Sequence, residues 1–206
     1  MLRAAGADGV APGARAALLD RDGTLNESAP DPGSGLPESP LALADVRLIP
    51  GAAAAAGELA RAGYALVCVS NQPAAAKGKV ALAELLAVYE RVIELLAEQQ
   101  VRIAASFLCP HHPDGVVPEL SGSCECRKPA AGMLLEAASM LALDLRSSWM
   151  LGDTDSDVAA GRAAGCATVL IEYPGSAHKR AGTAGEDVHA ADIGDGVAQV
   201  LARAAG

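Results

Sequence analysis

Apolar residues along the chain follow two rhythms. Short, mostly apolar runs occur at residues 16–19, 65–69, 103–108, 149–151 and 167–171, interrupted only by Ser106 and Thr168. Polar groups follow several of them: Asp20 and Asp22 after the first, Ser70-Asn71-Gln72 after the second, and Gly152-Asp153 after the fourth. Between the runs the spacing changes to three and four. Pro50 and Gly51 open a helix that runs through Arg61 and stops at Gly63. Leu82, Leu85, Leu86, Ile93 and Leu96 form one apolar stripe, which predicts a long helix over 82–99. Further helices are expected over 132–141, 156–164 (closed by Gly165) and 196–203. Residues 21–40 are dense in Pro, Gly, Ser and Asp and read as a long exposed loop. Residues 173–189 also read as loop, and residues 1–14 as a flexible extension. Residues 109–129 show neither rhythm.

Strands that are apolar on both faces and alternate with helices indicate a mostly parallel sheet covered on two sides. The expected fold class is therefore α/β, a Rossmann-like three-layer α/β/α sandwich, organised as a single domain over residues 15–206. In such sheets ligands bind at the carboxyl ends of the strands. That rule gathers Asp20, Asp22, Ser70, Asn71 and Asp153 on one edge, with Lys128 within reach of it.

Composition narrows the class. The chain has 206 residues, enough for one core. Hydrophobic residues make up 51 % but aromatics only 2 %, so the core must be aliphatic and rich in Ala. A net charge of −9 argues against a general nucleic-acid or anionic-membrane binder, since both attract basic surfaces. The Ala run at 52–56 is interrupted by Gly57, Glu58 and Arg61, so no span is visible. The N-terminal residues lack the apolar stretch of a signal peptide. Five Cys, an odd number, do not suggest a disulfide framework. A cytoplasmic monomer acting on a small molecule is expected.

The candidate chemistry begins at Asp20-Arg21-Asp22-Gly23-Thr24-Leu25. Two carboxylates follow a buried strand, and a glycine lets the chain turn away. Asp20 can attack phosphorus, and Asp22 can serve the leaving oxygen as acid and the hydrolytic water as base. Gly152-Asp153-Thr154-Asp155-Ser156-Asp157 sets three acids at alternate positions, which repel unless a cation or donors offset them. Mg²⁺ prefers such oxygen ligands. Asp153, at the strand end, is the best ligand, and Asp157 is placed to cap the following helix or orient the shell. Ser70 can donate to a phosphate oxygen, and Lys128 can neutralise it.

Residues 109–129 carry a second cluster. Cys109-Pro110-His111-His112 is followed by Cys124-Glu125-Cys126, three thiols and an imidazole suited to tetrahedral Zn²⁺. Four protein ligands leave no open position, so this zinc is structural, clamping a loop too poor in apolar residues to pack by itself. Cys68 and Cys166 lie in or beside apolar runs and read as buried core.

Together these pieces resemble the haloacid dehalogenase-like phosphohydrolases, in the family's motif order from residue 16 to residue 171. The zinc loop running into Arg127-Lys128-Pro129 resembles the branch that contains the histidinol-phosphatases and the D-glycero-D-manno-heptose 1,7-bisphosphate 7-phosphatases. Ser70-Asn71-Gln72 and Cys109-Pro110-His111-His112-Pro113 resemble the latter most. The resemblance implies an aspartyl-phosphate on Asp20 and acid/base work by Asp22. It implies Mg²⁺ held by Asp20, the Asp22 carbonyl and Asp153, and a phosphoryl group held by Ser70 and Lys128. Arg127, Asn71 and Gln72 would contact the substrate, and His111 rather than His112 would bind zinc. No large cap domain is expected. The implied reaction takes a heptose bisphosphate to the heptose 1-phosphate; histidinol phosphate is the alternative substrate, and a non-catalytic zinc-stabilised binding module the alternative class. Three features depart from the pattern: a longer Pro-rich stretch at 26–43, Thr154 where a basic residue is common, and Pro73 after Gln72.

Overall fold

The computed structural model describes residues 1–5, 9–182 and 185–204. Its elements in chain order are β1 (Leu2–Ala5), β2 (Ala16–Leu19), β3 (Ala29–Pro30), β4 (Pro37–Glu38), α1 (Ala52–Arg61), β5 (Ala65–Asn71), α2 (Leu82–Glu98), β6 (Ala105–Cys109), α3 (Gly132–Leu141), β7 (Trp149–Gly152), α4 (Asp155–Ala164), β8 (Ala167–Ile171), β9 (Val188–Ala190) and α5 (Ile193–Ala204). Seven strands form one sheet in the order β1-β6-β5-β2-β7-β8-β9, parallel throughout except for β1. β3 and β4 form a separate antiparallel hairpin.

Each central strand divides its side chains between two cores. Ala17 and Leu19 of β2 face a cluster built with α1, α2 and α5, while Ala16 and Leu18 face α3 and α4. Both faces are covered, which is why β2 is apolar at every position. α1 buries Ala52, Ala53, Ala55, Ala56 and Leu59. Small side chains let this helix lie close to the sheet and to α5, which accounts for the Ala-rich composition.

The short elements were not legible in the pattern. The expected flexible extension, residues 1–14, is corrected: Leu2–Ala5 form β1, antiparallel to β6. Met1 packs against the α3/α4 core and Leu2 against Cys68, Tyr89 and Leu108 on the other face. Two apolar residues pointing opposite ways suffice to dock a strand on an open sheet edge. Residues 6–8 of that stretch lie outside the described residues. The expected loop 21–40 contains the β3–β4 hairpin, and the expected loop 173–189 contains a 3₁₀ turn, Pro174–Lys179, and the start of β9. In β9 only Val188 and Ala190 are buried, too few for a pattern.

No large cap domain stands over the carboxyl edge among the described residues. The segments there are the hairpin, the turn after β8 and the loop after β6. No helix among the described residues is long and apolar enough to cross a membrane.

Candidate active site

β2, β5 and β7 are neighbours, so their carboxyl ends bring residues far apart in sequence into one cleft. The cleft is lined by Asp20, Asp22, Ser70, Asn71, Lys128 and Asp153, with Arg127 and Lys77 toward its mouth. The backbone N–H of Asp20 donates to the Leu151 carbonyl (2.9 Å), tying the first loop to the end of β7. Gly23 adopts a left-handed φ of 82°, and a Cβ there would strike the Asp153 carboxylate and the Tyr173 ring. The chain can turn between two acids at that point only because Gly23 is bare.

Carboxylate oxygens of Asp20, Asp153 and Asp157 all lie within 4.8 Å of one another, and all three residues are buried. Lys128 offsets part of this charge. Its Nζ lies 2.8 Å from Asp20 and 2.5 Å from Asp157 and donates to the Val69 carbonyl at 2.8 Å. Burial works against the ammonium, but the two carboxylates outweigh it and hold Lys128 above its ordinary range. One cation against three acids leaves an excess of negative charge. Burial, resisted by Lys128 and reinforced by Asp157, raises Asp20 to about 6. Burial together with Asp20 and Asp157 raises Asp153 to about 8. Asp153 Oδ1 is buried with no hydrogen-bond partner. An all-oxygen donor set short of positive charge, with an orphaned carboxylate oxygen, fits a hard divalent cation.

Asp157 has a second task. Its Oδ2 accepts from the backbone N–H (3.0 Å) and hydroxyl (2.6 Å) of Thr154, closing the first turn of α4. The same carboxylate thus fixes the helix start and Lys128.

Asp22 sits in a different environment. Arg21 Nη2 donates to both of its oxygens at 2.9 Å, Asn26 Nδ2 to Oδ1 at 2.8 Å, and Ser39 Oγ and Gln72 Nε2 to Oδ2 at 2.7 and 2.5 Å. Burial pushes its pKa up, but Arg21 and these hydrogen bonds win and hold it below the usual carboxylate range. Arg21 is wholly buried and also donates to Gln72 Oε1 (2.9 Å).

Two expected substrate contacts are thereby redefined. Gln72 is 2 % exposed, absent from the cleft wall, and spent on Asp22, Ser70 and Arg21. A side chain with all its polar groups paired behind the acid has none left for a substrate. Asn71 does line the cleft, but its amide is committed to Lys128: Nδ2 donates to the Lys128 carbonyl (2.9 Å), and Oδ1 accepts from the Lys128 N–H (3.0 Å). Ser70 and Arg127 line the cleft, Arg127 also donating to the His111 carbonyl at 3.2 Å. Sequence reasoning passed over Arg21, Asn26 and Ser39, because loop periodicity does not say which way a side chain turns.

The sulfur cluster forms at the end of β6. Cys109, His111, Cys124 and Cys126 bring three Sγ atoms and His111 Nδ1 within 4.8 Å of one another. The separations from Cys126 are 3.3 Å to Cys109, 3.4 Å to Cys124 and 3.4 Å to His111. A tetrahedron around zinc with bonds of about 2.3 Å has edges just under ~4 Å, so the donors fit that ion. Hydrogen bonds from Cys109 and the neighbouring donors lower the Cys126 thiol to about 5. His112 is spent elsewhere: its Nδ1 accepts from the Asp114 N–H (3.1 Å). The cluster leads directly into Arg127 and Lys128, so it fixes the segment that delivers the buried ammonium.

Comparison with known proteins agrees with this geometry. The HAD-hydrolase-like family profile matches residues 125–201. The D-glycero-β-D-manno-heptose-1,7-bisphosphate 7-phosphatase of Yersinia pestis is 37 % identical over 172 residues, 84 % of this chain and 87 % of that one. A HAD-like protein of Mesorhizobium loti superposes with a TM-score of 0.77 at 33 % identity, over 93 % of this chain and 86 % of its own. The D,D-heptose 1,7-bisphosphate phosphatase of B. bronchiseptica, solved with magnesium and phosphate, superposes with a TM-score of 0.76 at 28 % identity, over 92 % of this chain and 99 % of its own. By its motifs, its site and these likenesses, the chain belongs to the D-glycero-β-D-manno-heptose-1,7-bisphosphate 7-phosphatase family of haloacid dehalogenase-like hydrolases.

Proposed function

We propose that the chain is a Mg²⁺-dependent phosphatase that removes the 7-phosphate of D-glycero-D-manno-heptose 1,7-bisphosphate and leaves the heptose 1-phosphate. The observation that carries this reading is the convergence of Asp20, Asp153, Asp157 and Lys128 beside a separately held Asp22. A phosphoryl group entering the cleft meets Asp20 as nucleophile. The bond from the Asp20 carboxylate to phosphorus forms as the bond to the sugar O7 breaks, and O7 takes the proton that Asp22 carries in the substrate complex, where the entering phosphoryl charge works against Arg21 and the hydrogen bonds that keep the free carboxyl ionised. Water then attacks the same phosphorus, Asp22 accepts its proton, phosphate leaves and the Asp20 carboxylate is restored. Asp20, Asp153 and the Asp22 carbonyl would hold Mg²⁺, which neutralises charge on the transferring group when bound. Ser70 and Lys128 hold the phosphoryl oxygens, Asn71 fixes Lys128, and Arg127 meets the rest of the substrate. Cys109, His111, Cys124 and Cys126 hold a structural Zn²⁺. The protein acts as a cytoplasmic monomer: a zinc site of three thiolates needs reduced cysteines, and all five Cys are free. Sedimentation near 20.6 kDa would agree with a monomer, and twice that mass would refute it.

The test is phosphate release with Mg²⁺ from the α- and β-anomers of the heptose bisphosphate and from histidinol phosphate, with Asp20→Asn as blank. Fast release from a heptose bisphosphate, absent in the blank, is expected. Faster turnover of histidinol phosphate would keep the chemistry and replace the substrate. Release from none of them would refute the phosphatase reading.

A further inference from the structure

Four side chains converge on the Asp22 carboxylate, and one of them comes from a different kind of element than the rest. Arg21 and Asn26 belong to the loop that carries Asp22, and Gln72 to the end of β5. Ser39 follows directly on β4 of the hairpin and also lines the cleft. Its Oγ donates to Asp22 Oδ2 at 2.7 Å. The hairpin itself is fastened around this bond. Glu38, the residue before, pairs with Lys179 of the turn after β8 at 3.2 Å. Asp31 pairs with Lys79 and accepts from the N–H of Ser34 at 2.9 Å. The Ser28 N–H donates to the Tyr173 hydroxyl at 2.9 Å. The hairpin is thus tied to its surroundings at several points, and Ser39 is the one that reaches the acid/base.

We propose that Ser39 is a positioning residue for the Asp22 carboxylate, through which the seating of the β3–β4 hairpin sets the aim of the general acid at the leaving oxygen. This rests on the phosphatase reading above. Ser39 moves no proton in the reaction; Asp22 gives its proton to O7 as the P–O7 bond breaks. What Ser39 supplies is orientation. Without it Oδ2 keeps Gln72 and Arg21, both approaching from the protein side, and the carboxylate swings toward them. Proton delivery depends on aim within a fraction of an ångström, so a small swing is costly where the leaving group needs a proton and nearly free where it does not.

That difference supplies the test. kcat/KM is measured for the heptose bisphosphate, whose alkoxide leaves poorly without a proton, and for p-nitrophenyl phosphate, whose phenolate leaves unaided. Wild type, Ser39→Ala and Ser39→Thr are compared. Ser39→Ala is expected to lower kcat/KM about tenfold on the sugar phosphate and less than about twofold on the aryl phosphate, with Ser39→Thr restoring the former. The ratio of the two values does not depend on how much of the variant is folded. Equal losses on both substrates, no loss on either, or no rescue by Thr would overturn the role of Ser39. A wild type that releases phosphate from neither substrate would overturn the phosphatase reading, and this role with it.

Discussion

Lys128 is the residue on which the charge balance of the cleft turns. It is 3 % exposed and reaches two carboxylates and a backbone carbonyl. Replacing it by Met leaves Asp20 and Asp157 buried without their cation. Removing one partner of a buried pair is costly, about 3–5 kcal/mol, because the other charge remains. Lys128→Met is therefore expected to melt well below wild type and to lose on the order of 10²–10³ in kcat; a melting scan and phosphate release check both. Lys128→Arg is expected to fail as well, since a planar fork cannot replace a point charge held from three directions. Retained activity in Lys128→Met would mean that Lys128 does not meet the phosphoryl group, and retained activity in Lys128→Arg that a compact point charge is not required there. At this scale the sequence disclosed the candidate reactive groups and concealed their supports. Asp20, Asp22 and Asp153 are legible because a buried strand ending in acid has few structural uses. The bonds from Gln72 to Asp22 and from Asn71 to Lys128 join residues 50 and 57 positions apart, and only the fold brings them together.

Among the elements, those that bury a run of side chains announced themselves and those that dock by two contacts did not. β2 and β5 read directly from the sequence, since every position of β2 and five of seven in β5 are buried. β1, β3, β4 and β9 have two to four residues each, and tertiary partners alone decide their state. The loop after β6 is a third case, legible through its chemistry. It has little apolar content, and it is held by backbone bonds such as those from the Val116 and Val117 N–H groups to the Ala76 carbonyl (2.7 and 3.1 Å) and by the sulfur cluster. Metal analysis is expected to find one zinc per chain. Cys124→Ser, at a partly exposed ligand, is expected to lower zinc occupancy and to open the loop to protease between residues 112 and 124. The same variant should lose activity, because Arg127 and Lys128 follow directly on Cys126. Full zinc loss with unchanged protease resistance and activity would show that the backbone bonds alone hold the segment.

Across the whole molecule, a net charge of −9 accompanies three buried carboxylates, Asp20, Asp153 and Asp157, gathered at one point of the fold. Asp20 and Asp153 have their pKa raised from an ordinary 3.8 to about 6 and about 8. A carboxyl raised in the fold favours the folded state while protonated and disfavours it once ionised. Without metal, the contribution of these two groups should therefore be fullest below about 3.8 and decline as pH rises, that of Asp20 until about 6 and that of Asp153 until about 8. A divalent cation reverses this, because it binds the ionised acids of the folded state and not the unfolded chain. The gain in Tm from Mg²⁺ over chelator is thus expected to be small near pH 5.5 and larger near pH 8.5. Asp153→Asn supplies the control: its Tm with chelator should depend less on pH, and most of the Mg²⁺ gain should vanish. General self-repulsion of an acidic protein would instead give wild type and variant the same pH profile and the same response to salt. A gain from Mg²⁺ that is constant across the range would mean that the three buried acids are satisfied without a cation. Under the charge balance described here they are not: Lys128 is shared between Asp20 and Asp157, and Asp153 Oδ1 has no hydrogen-bond partner.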